Sequence, residues 1–173
     1  MKSGRPLPGE YGAHAEPDID RVRGNDAVAA LEAQQLEFTM LLRSLDESRI
    51  AGRRYAPDKW TVKEVIGHVI DDERIFAYRA LCIARGDPNP LQSFDEKAYV
   101  AGANFEERTL ASLVDEYALV RGATIALFRS LSDEASLRRG TVAGYQATVR
   151  GLAFHIAGHE LHHVTVLRER YSL

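Results

Sequence analysis

The chain has 173 residues, a formal net charge of −3 and 45% hydrophobic residues. This length and composition fit one domain with a core of its own and argue against intrinsic disorder. The mildly acidic balance, without a basic block, gives no support for nucleic-acid binding, and no apolar run approaches the roughly 20 residues of a membrane-spanning helix. A single cysteine, Cys82, cannot form an internal disulfide, and the N-terminus lacks the apolar core of a signal peptide, so we expect a cytoplasmic protein.

The N-terminal region and the first helix differ in their patterning. Residues 1–23 carry Gly, Pro and charge with little periodicity, which predicts a flexible N-terminal arm, either loose or lying on the surface, before a helical domain at residues 24–173. A first helix is predicted to begin at Asn25 or Asp26 and to end near Leu45. Its expected apolar face consists of Leu31, Leu36, Met40, Leu41 and Leu45.

The second predicted helix has a clear start and stop. Thr61 followed by Glu64 three residues later forms a capping box, and Gly86 follows the last periodic residues near Arg85. The next connection is about 20 residues long, which is unusual in a compact domain and indicates a functional segment. Two aromatic side chains in it, Phe94 and Tyr99, are candidates for a pocket wall.

Two further helices complete the prediction. Thr109 can cap a third helix that extends to about Leu131, and the last helix begins near Ala147 or Thr148. Between them, residues 138–146 contain two glycines and β-branched residues, which fit either a short hairpin or an irregular crossover. Four amphipathic helices predict an all-α four-helix bundle.

The histidines are the most informative residues. The stretch 155–163 reads HIAGHELHH, and its His159 and His163 are four residues apart, so on a helix they share one face. His68, between Val65 and Val69 in the second helix, is expected to face the same interior. Each buried imidazole left without a partner would cost about 1–3 kcal/mol, whereas one divalent ion could bind all three. We therefore predict a metal site formed by His68, His159 and His163, the alternative being separate core histidines bonded to backbone or carboxylates.

Two aspartates accompany the predicted metal site. Asp71 and Asp72 lie three and four residues after His68, roughly on its face. Either could orient a ligand's second nitrogen, add a carboxylate ligand or act as a general base. The alternative is a solvated pair at the helix edge.

The remaining residues of the last helix receive lesser roles. His155 is expected in a pocket wall, His162 on the flank and Glu160 at the surface, about 100° from the ligand face. With His163 as a ligand, however, Glu160 occupies the acidic position of a His-Glu-x-x-His metalloprotease motif, which gives slight support to a hydrolase.

Three segments resemble a known family. Residues 59–71 (KWTVKEVIGHVID), 93–99 (SFDEKAY) and 159–167 (HELHHVTVL) resemble the DinB/YfiT-like superfamily of metal-binding four-helix proteins, over about residues 25–170. The resemblance implies an up-down-down-up bundle, often dimeric, with nickel, zinc or a similar divalent ion on the three histidines. It also implies thiol-dependent activities, such as bacillithiol, mycothiol or glutathione transfer and a mycothiol-dependent maleylpyruvate isomerase, or metal-dependent hydrolysis.

Three functions therefore stand as expectations. The first is an enzyme that transfers a low-molecular-weight thiol to an electrophilic small molecule, the second is a hydrolase that uses metal-bound water, and the third is a non-catalytic metal-binding module related to stress. A homodimer is also expected, from the resemblance and from apolar residues outside a single-sided face, such as Leu42, Ile75 and Leu119.

Overall fold

Four long helices form the body of the protein, whose structure is a computed structural model describing residues 4–173. The elements in chain order are α1 (Glu16–Arg21), α2 (Ala27–Arg43), α3 (Glu47–Ile50), α4 (Val62–Ala84), α5 (Glu96–Gly102), α6 (Leu110–Ser130), α7 (Asp133–Ser136), β1 (Arg139–Val142), β2 (Tyr145–Thr148) and α8 (Val149–Arg170). Short 3₁₀ turns occur at Ala13–Ala15 and Phe105–Glu107. None of the helices within the described range is both long and apolar enough to span a bilayer.

Polar caps fix the starts of the long helices. Asp26 accepts a hydrogen bond from the backbone of Val28 at 2.9 Å, and Thr61 forms the complete capping box with Glu64. The side chains of Thr109 and Thr148 cap α6 and α8 by accepting hydrogen bonds from the backbone N–H groups of Ser112 and Gly151. Because a cap acts within one helical turn, these starts could be recognised in the sequence.

The long helices are arranged up-down-down-up, as the resemblance implied. Each of α2 and α4 packs against both α6 and α8. Helices α4 and α6 run parallel, because Lys63 Nζ donates to the carbonyl of Arg108 before α6 begins, whereas Glu73 pairs with Arg121 farther along both helices. A segment that connects two parallel helices must return along the full length of the bundle. For the 23 residues of α4 this length is about 34 Å. This requirement explains the long segment between α4 and α6.

The segment before α8 is a β-hairpin, one of the two structures that the sequence left open. Arg139 pairs with Thr148 and Val142 with Tyr145 in an antiparallel register. The two turn residues, Ala143 and Gly144, both have positive φ, as a two-residue hairpin turn requires. Strand β1 packs against the C-terminal end of α4, where Gly140 lies beside Ile83.

A buried polar layer separates two apolar clusters of the core. One cluster includes Leu31, Phe128 and Phe154, and the other includes Phe38, Ile66 and Leu167. The polar layer comprises one side chain from each long helix, Gln34, Glu73, Arg121 and Glu160, among the larger set of buried polar residues on these helices.

The apolar face expected for α2 was partly wrong. Leu36 and Met40 are 65% and 63% exposed, whereas Gln34 and Leu42 are buried. Gln34 can face the core because its amide donates to the carbonyl of Ala157 at 3.1 Å. Leu42 is fully buried in its own chain, so it gives no support to a dimer interface.

The N-terminal residues pack against the bundle. Residues 1–3 lie outside the described range, but Ile19 is only 1% exposed and Glu10 forms a buried ion pair with Arg150 at 2.6 Å. The carbonyl of Glu10 also accepts a hydrogen bond from the backbone of Thr148. The sequence left open whether this segment is loose or lies on the surface, because its contacts depend on partners about 140 residues away.

Candidate metal centre

Three imidazole rings from two antiparallel helices meet in the groove between α4 and α8. Nε2 of His159 lies 3.1 Å from Nε2 of His68 and 3.1 Å from Nε2 of His163. One nitrogen from each ring lies within 4.8 Å of the other two. His68 and His163 are buried, and the side chain of His159 is 12% exposed. The structure thus brings together the three residues that the sequence selected.

The donor set fits a divalent metal ion. In a site with metal–nitrogen distances of about 2.1 Å and nitrogen–metal–nitrogen angles between the octahedral and tetrahedral values, the nitrogens lie about 3.0–3.4 Å apart. The observed spacing of 3.1 Å falls in this range. Among residues 4–173, Nδ1 of His163 is buried without a hydrogen-bond partner, so within this range the ring has no polar partner other than the nitrogens it faces. Three ring nitrogens converging without any acceptor oxygen suit a borderline or soft cation.

Burial keeps the three rings neutral at physiological pH. It lowers the pKa of His159 to about 3 and also lowers the pKa values of His68 and His163. Only a neutral imidazole has the lone pair that a metal ligand needs. The rings therefore do not have to lose a proton before they bind an ion at pH 7.

Asp72 supports His159 from the other side of its ring. Its Oδ2 lies 3.3 Å from Nδ1 of His159 and 3.7 Å from Nε2 of His155, although neither contact has hydrogen-bond geometry. Burial opposes ionisation of Asp72, but at acid pH the positive charges of the adjacent protonated histidines outweigh burial and lower the pKa of Asp72 to about 2. A buried carboxylate beside the second nitrogen of a histidine is the usual partner that orients a metal ligand.

Asp71 lies apart from the three histidines. It is half-buried at the edge of α4, 3.7 Å from Arg74, and is not in the wall of the pocket that contains them. Burial raises the pKa of its carboxyl group. Adjacent helical residues diverge by about 100°, so only one aspartate of the pair can face the rings, and that residue is Asp72.

The other two histidines of α8 occupy different positions. The ring of His155 stacks on Phe76 at 3.9 Å, and both of its ring nitrogens are buried without hydrogen-bond partners in the described part of the chain. The side chain of His162 is 41% exposed, with Nδ1 3.6 Å from Asp18 of α1. His155 thus lines the inner wall, and His162 lies at the rim.

Glu160 is not at the surface, which corrects the sequence-based expectation. It is 1% exposed and accepts hydrogen bonds from Arg121 and from the hydroxyl of Tyr117, both at 2.7 Å. Burial raises the pKa of Glu160. Because its carboxylate points into the polar layer of the core, it does not occupy the position of a metalloprotease general base, and the support that the His-Glu-x-x-His pattern gave to a hydrolase is lost.

A cavity of about 420 Å³ opens from the three histidines along the groove. Its wall contains residues from α4, α8, the long connection, the hairpin and the N-terminal segment; those outside the histidine cluster include His14, Trp60, Phe76, Arg79, Phe94 and Tyr145. Phe94 was expected in a pocket wall, whereas Tyr99 is not part of this one and is 49% exposed.

Trp60 and Arg79 line the cavity, although neither was expected there from the sequence. The ring of Trp60 lies 4.7 Å from that of His68. Arg79 could have been found, because positions 68, 72, 76 and 79 follow one face of a helix. Trp60 lies in a loop, where helical spacing gives no such signal.

Comparison with known proteins identifies the family. The sequence profile of the DinB superfamily matches residues 30–167, which is most of the chain. The chain belongs to the DinB superfamily. No significant match to a curated protein sequence was found.

Solved structures share the fold of this DinB-superfamily protein. YfiT from Bacillus subtilis, described as a probable metal-dependent hydrolase with an unusual four-helix bundle topology, has a TM-score of 0.72 and 19% identity over 98% of this chain and 95% of YfiT. A mycothiol-dependent maleylpyruvate isomerase has a TM-score of 0.65 and 13% identity, over 80% of this chain and 58% of that one. At such identities the similarity establishes the fold, and the predicted bundle topology is confirmed.

Proposed function

We propose that this DinB-superfamily protein is a divalent-metal-dependent enzyme that transfers a low-molecular-weight thiol to an electrophilic small molecule in the cytoplasm. The observation that carries the proposal is the convergence of three neutral histidine nitrogens at the end of an open cavity. A site with three protein ligands leaves coordination positions for a reactant, whereas a structural site is usually closed by four. This contrast disfavours a purely structural metal.

His68, His159 and His163 would hold the ion, with nickel or zinc as the expected metal. A bound divalent ion supplies one chemical effect, which is to lower the pKa of a thiol or water that it coordinates. Asp72 would keep Nε2 of His159 directed at the ion through its position beside Nδ1. The rings of Trp60 and Phe76 would exclude water from the reacting atoms.

Hydrolysis is the second candidate. It is supported by the fold shared with YfiT, the probable metal-dependent hydrolase, along 98% of this chain. In this alternative Asp72, ionised and in the cavity wall, would accept the proton of the attacking water. Asp71 does not line the cavity, so we assign neither role to it. The position of Asp72 behind the ring of His159 favours an orienting role and therefore the thiol-transfer proposal.

Spectroscopy of the cobalt-loaded protein separates the two candidates. Thiol transfer predicts that glutathione, bacillithiol or mycothiol changes the absorption spectrum of the cobalt protein, and that a halogenated aromatic is then consumed only when thiol is present. H68A should abolish both effects, whereas the rim variant H162A should retain them. A spectrum unaffected by millimolar concentrations of all three thiols, together with thiol-independent hydrolysis of an ester or amide, would refute the transferase in favour of the hydrolase.

We also infer a homodimer. Within one chain, Leu36 and Met40 of α2 and Leu119 of α6 are large apolar side chains that are more than half exposed, on two helices that pack together. Ile75 is half-buried against the core of its own chain. Light scattering at micromolar concentration should give twice the chain mass, and L119E should convert the dimer to a monomer; a monomer mass for the unmodified protein refutes the inference.

A further inference from the structure

The wall of the cavity contains a buried cation, Arg79, that forms no ion pair with a carboxylate of the described residues. Four cationic residues in the described part of the chain are at most 9% exposed. Three of them pair with a carboxylate at 2.6–2.9 Å: Lys63 with Glu47, Arg121 with Glu73 and Arg150 with Glu10. Arg79, at 4% exposure, has no carboxylate oxygen within 4.0 Å among residues 4–173. The carboxylate of Asp72 acts on Arg79 only from beyond this distance. A buried charge without an adjacent counter-charge is costly, so this exception requires an explanation.

The guanidinium of Arg79 is held in place but only partly bonded. One nitrogen donates to the carbonyl of Gln92 at 2.6 Å. Its central carbon lies 4.6 Å from the ring centre of Phe76 and 5.6 Å from that of Phe94. This bond and these stacking contacts fix the plane of the group. Among residues 4–173 no second hydrogen-bond acceptor contacts it, and Arg79 lines the wall of this cavity and of a neighbouring one that shares Ser93 and Phe94.

Arg79 lies toward the opposite end of the cavity from the three histidines. It is seven residues after Asp72 on the same face of α4, a rise of about 10 Å along the helix. Ser93 and Tyr145 contribute hydroxyl groups to the cavity. Burial raises the pKa of the Tyr145 phenol, so this group is protonated and can donate a hydrogen bond. The cavity thus has a histidine end and a cationic end, joined by the rings of Phe76 and His155.

We propose that Arg79 binds an anionic group of the substrate, specifically an organic carboxylate, while the rest of the molecule extends toward the three histidines. One unpaired guanidinium matches one negative charge, and its planar fork matches a carboxylate. This inference rests on the proposed function in one respect: the end of the substrate that reacts is the end near the three histidines. It narrows the substrate class to small carboxylic acids with an apolar or aromatic body.

Paired probes that differ in charge but hardly in shape test the assignment. Phenylacetate, phenylacetamide and phenyl phosphate are titrated calorimetrically into the purified protein, as isolated and after treatment with a chelator. The expected result is at least about tenfold tighter binding of phenylacetate than of the amide, as for a charge-assisted bidentate contact. Tighter binding of phenyl phosphate than of phenylacetate would overturn the choice of a carboxylate.

Variants locate the source of the preference. R79Q, and R79M with a stem of similar bulk against Phe76, should both abolish the preference for the acid while the far-UV circular dichroism is unchanged. R85Q removes an exposed charge at the end of α4 and should retain it. A preference that persists in R79Q and R79M overturns the proposal, as does equal binding of acid and amide to the unmodified protein.

The chelated protein distinguishes this site from the metal site. If the preference for phenylacetate over the amide survives chelation, it supports binding by Arg79. If the preference disappears on chelation, the acid binds the ion, and the inference is overturned without affecting the proposed metal chemistry. Conversely, a cobalt spectrum that no thiol changes would refute the thiol transfer and leave the anion site standing.

Discussion

Oδ2 of Asp72 lies 3.3 Å from Nδ1 of His159, whose Nε2 lies 3.1 Å from the matching nitrogens of the other two histidines. The carboxylate and the converging nitrogens therefore contact opposite sides of one imidazole ring. A carboxylate beside Nδ1 favours the tautomer that carries its proton on Nδ1, which leaves the lone pair of Nε2 available for an ion.

The first prediction concerns this contact. D72N should weaken metal binding about 10–100-fold, because the ring of His159 loses the charge that orients it. Competition with a chromophoric chelator measures the affinity. D71N is the matched control, since Asp71 lies outside the cavity wall, and its affinity should stay within about twofold of the unmodified protein. Equal losses in the two variants would remove Asp72 from the site.

The second prediction concerns the buried ion network. R121M should lower the free energy of unfolding by about 3–5 kcal/mol, because it leaves the carboxylates of Glu73 and Glu160 buried without their cation. Urea denaturation measures the loss. R129M on the same helix removes an exposed pair with Glu32 and should cost only about 0–1 kcal/mol. Similar values for the two variants would mean that the network contributes no more than a surface pair.

Structural features that depend on neighbouring residues could be predicted from the sequence, whereas features that depend on residues far away in the chain could not. Thr61 and Glu64 revealed the start of α4, because a capping box is complete within one turn. The spacing of His159 and His163 likewise revealed a shared face. Gln34 was left out of the expected core face and Glu160 was expected at the surface because both are polar. Their burial depends on Ala157 and Arg121, which are 123 and 39 residues away. Such long-range compensation leaves no periodic trace in a single sequence.

The third prediction concerns the packing of the N-terminal segment on α8. A Cβ atom at Gly158 would lie 2.1 Å from the carbonyl oxygen of Asp18, so G158A should displace α1 from the bundle. We expect a loss of about 1–3 kcal/mol and faster proteolysis before residue 24, measured by mass spectrometry. G122A is the control, because its nearest neighbour would be Nε2 of Gln35 at 3.9 Å. An unchanged cleavage rate in G158A would contradict this packing.

The fourth prediction concerns stability at acid pH. Burial alone would raise the pKa of Glu10, but the hydrogen bonds and charge of Arg150 outweigh burial and hold this pKa below its usual value of 4.5. The pair therefore stabilises the folded state above about pH 4.5, and this contribution is lost as the pH falls through the lower folded-state pKa. The difference in unfolding free energy between the unmodified protein and E10Q should be largest near neutral pH and shrink below pH 4. A difference that does not vary from pH 7 to pH 3 would contradict the role of the ion pair.

Elemental analysis of the purified protein tests the central claim, a metal site formed by His68, His159 and His163. The unmodified protein should contain about one divalent ion per chain, and H68A, H159A and H163A should each lose most of it, because two imidazoles bind an ion far more weakly than three. H162A should retain full occupancy, since this ring lies at the rim beside Asp18. Full metal content in H163A, or no metal in the unmodified protein after expression with nickel, zinc or cobalt, would contradict the account.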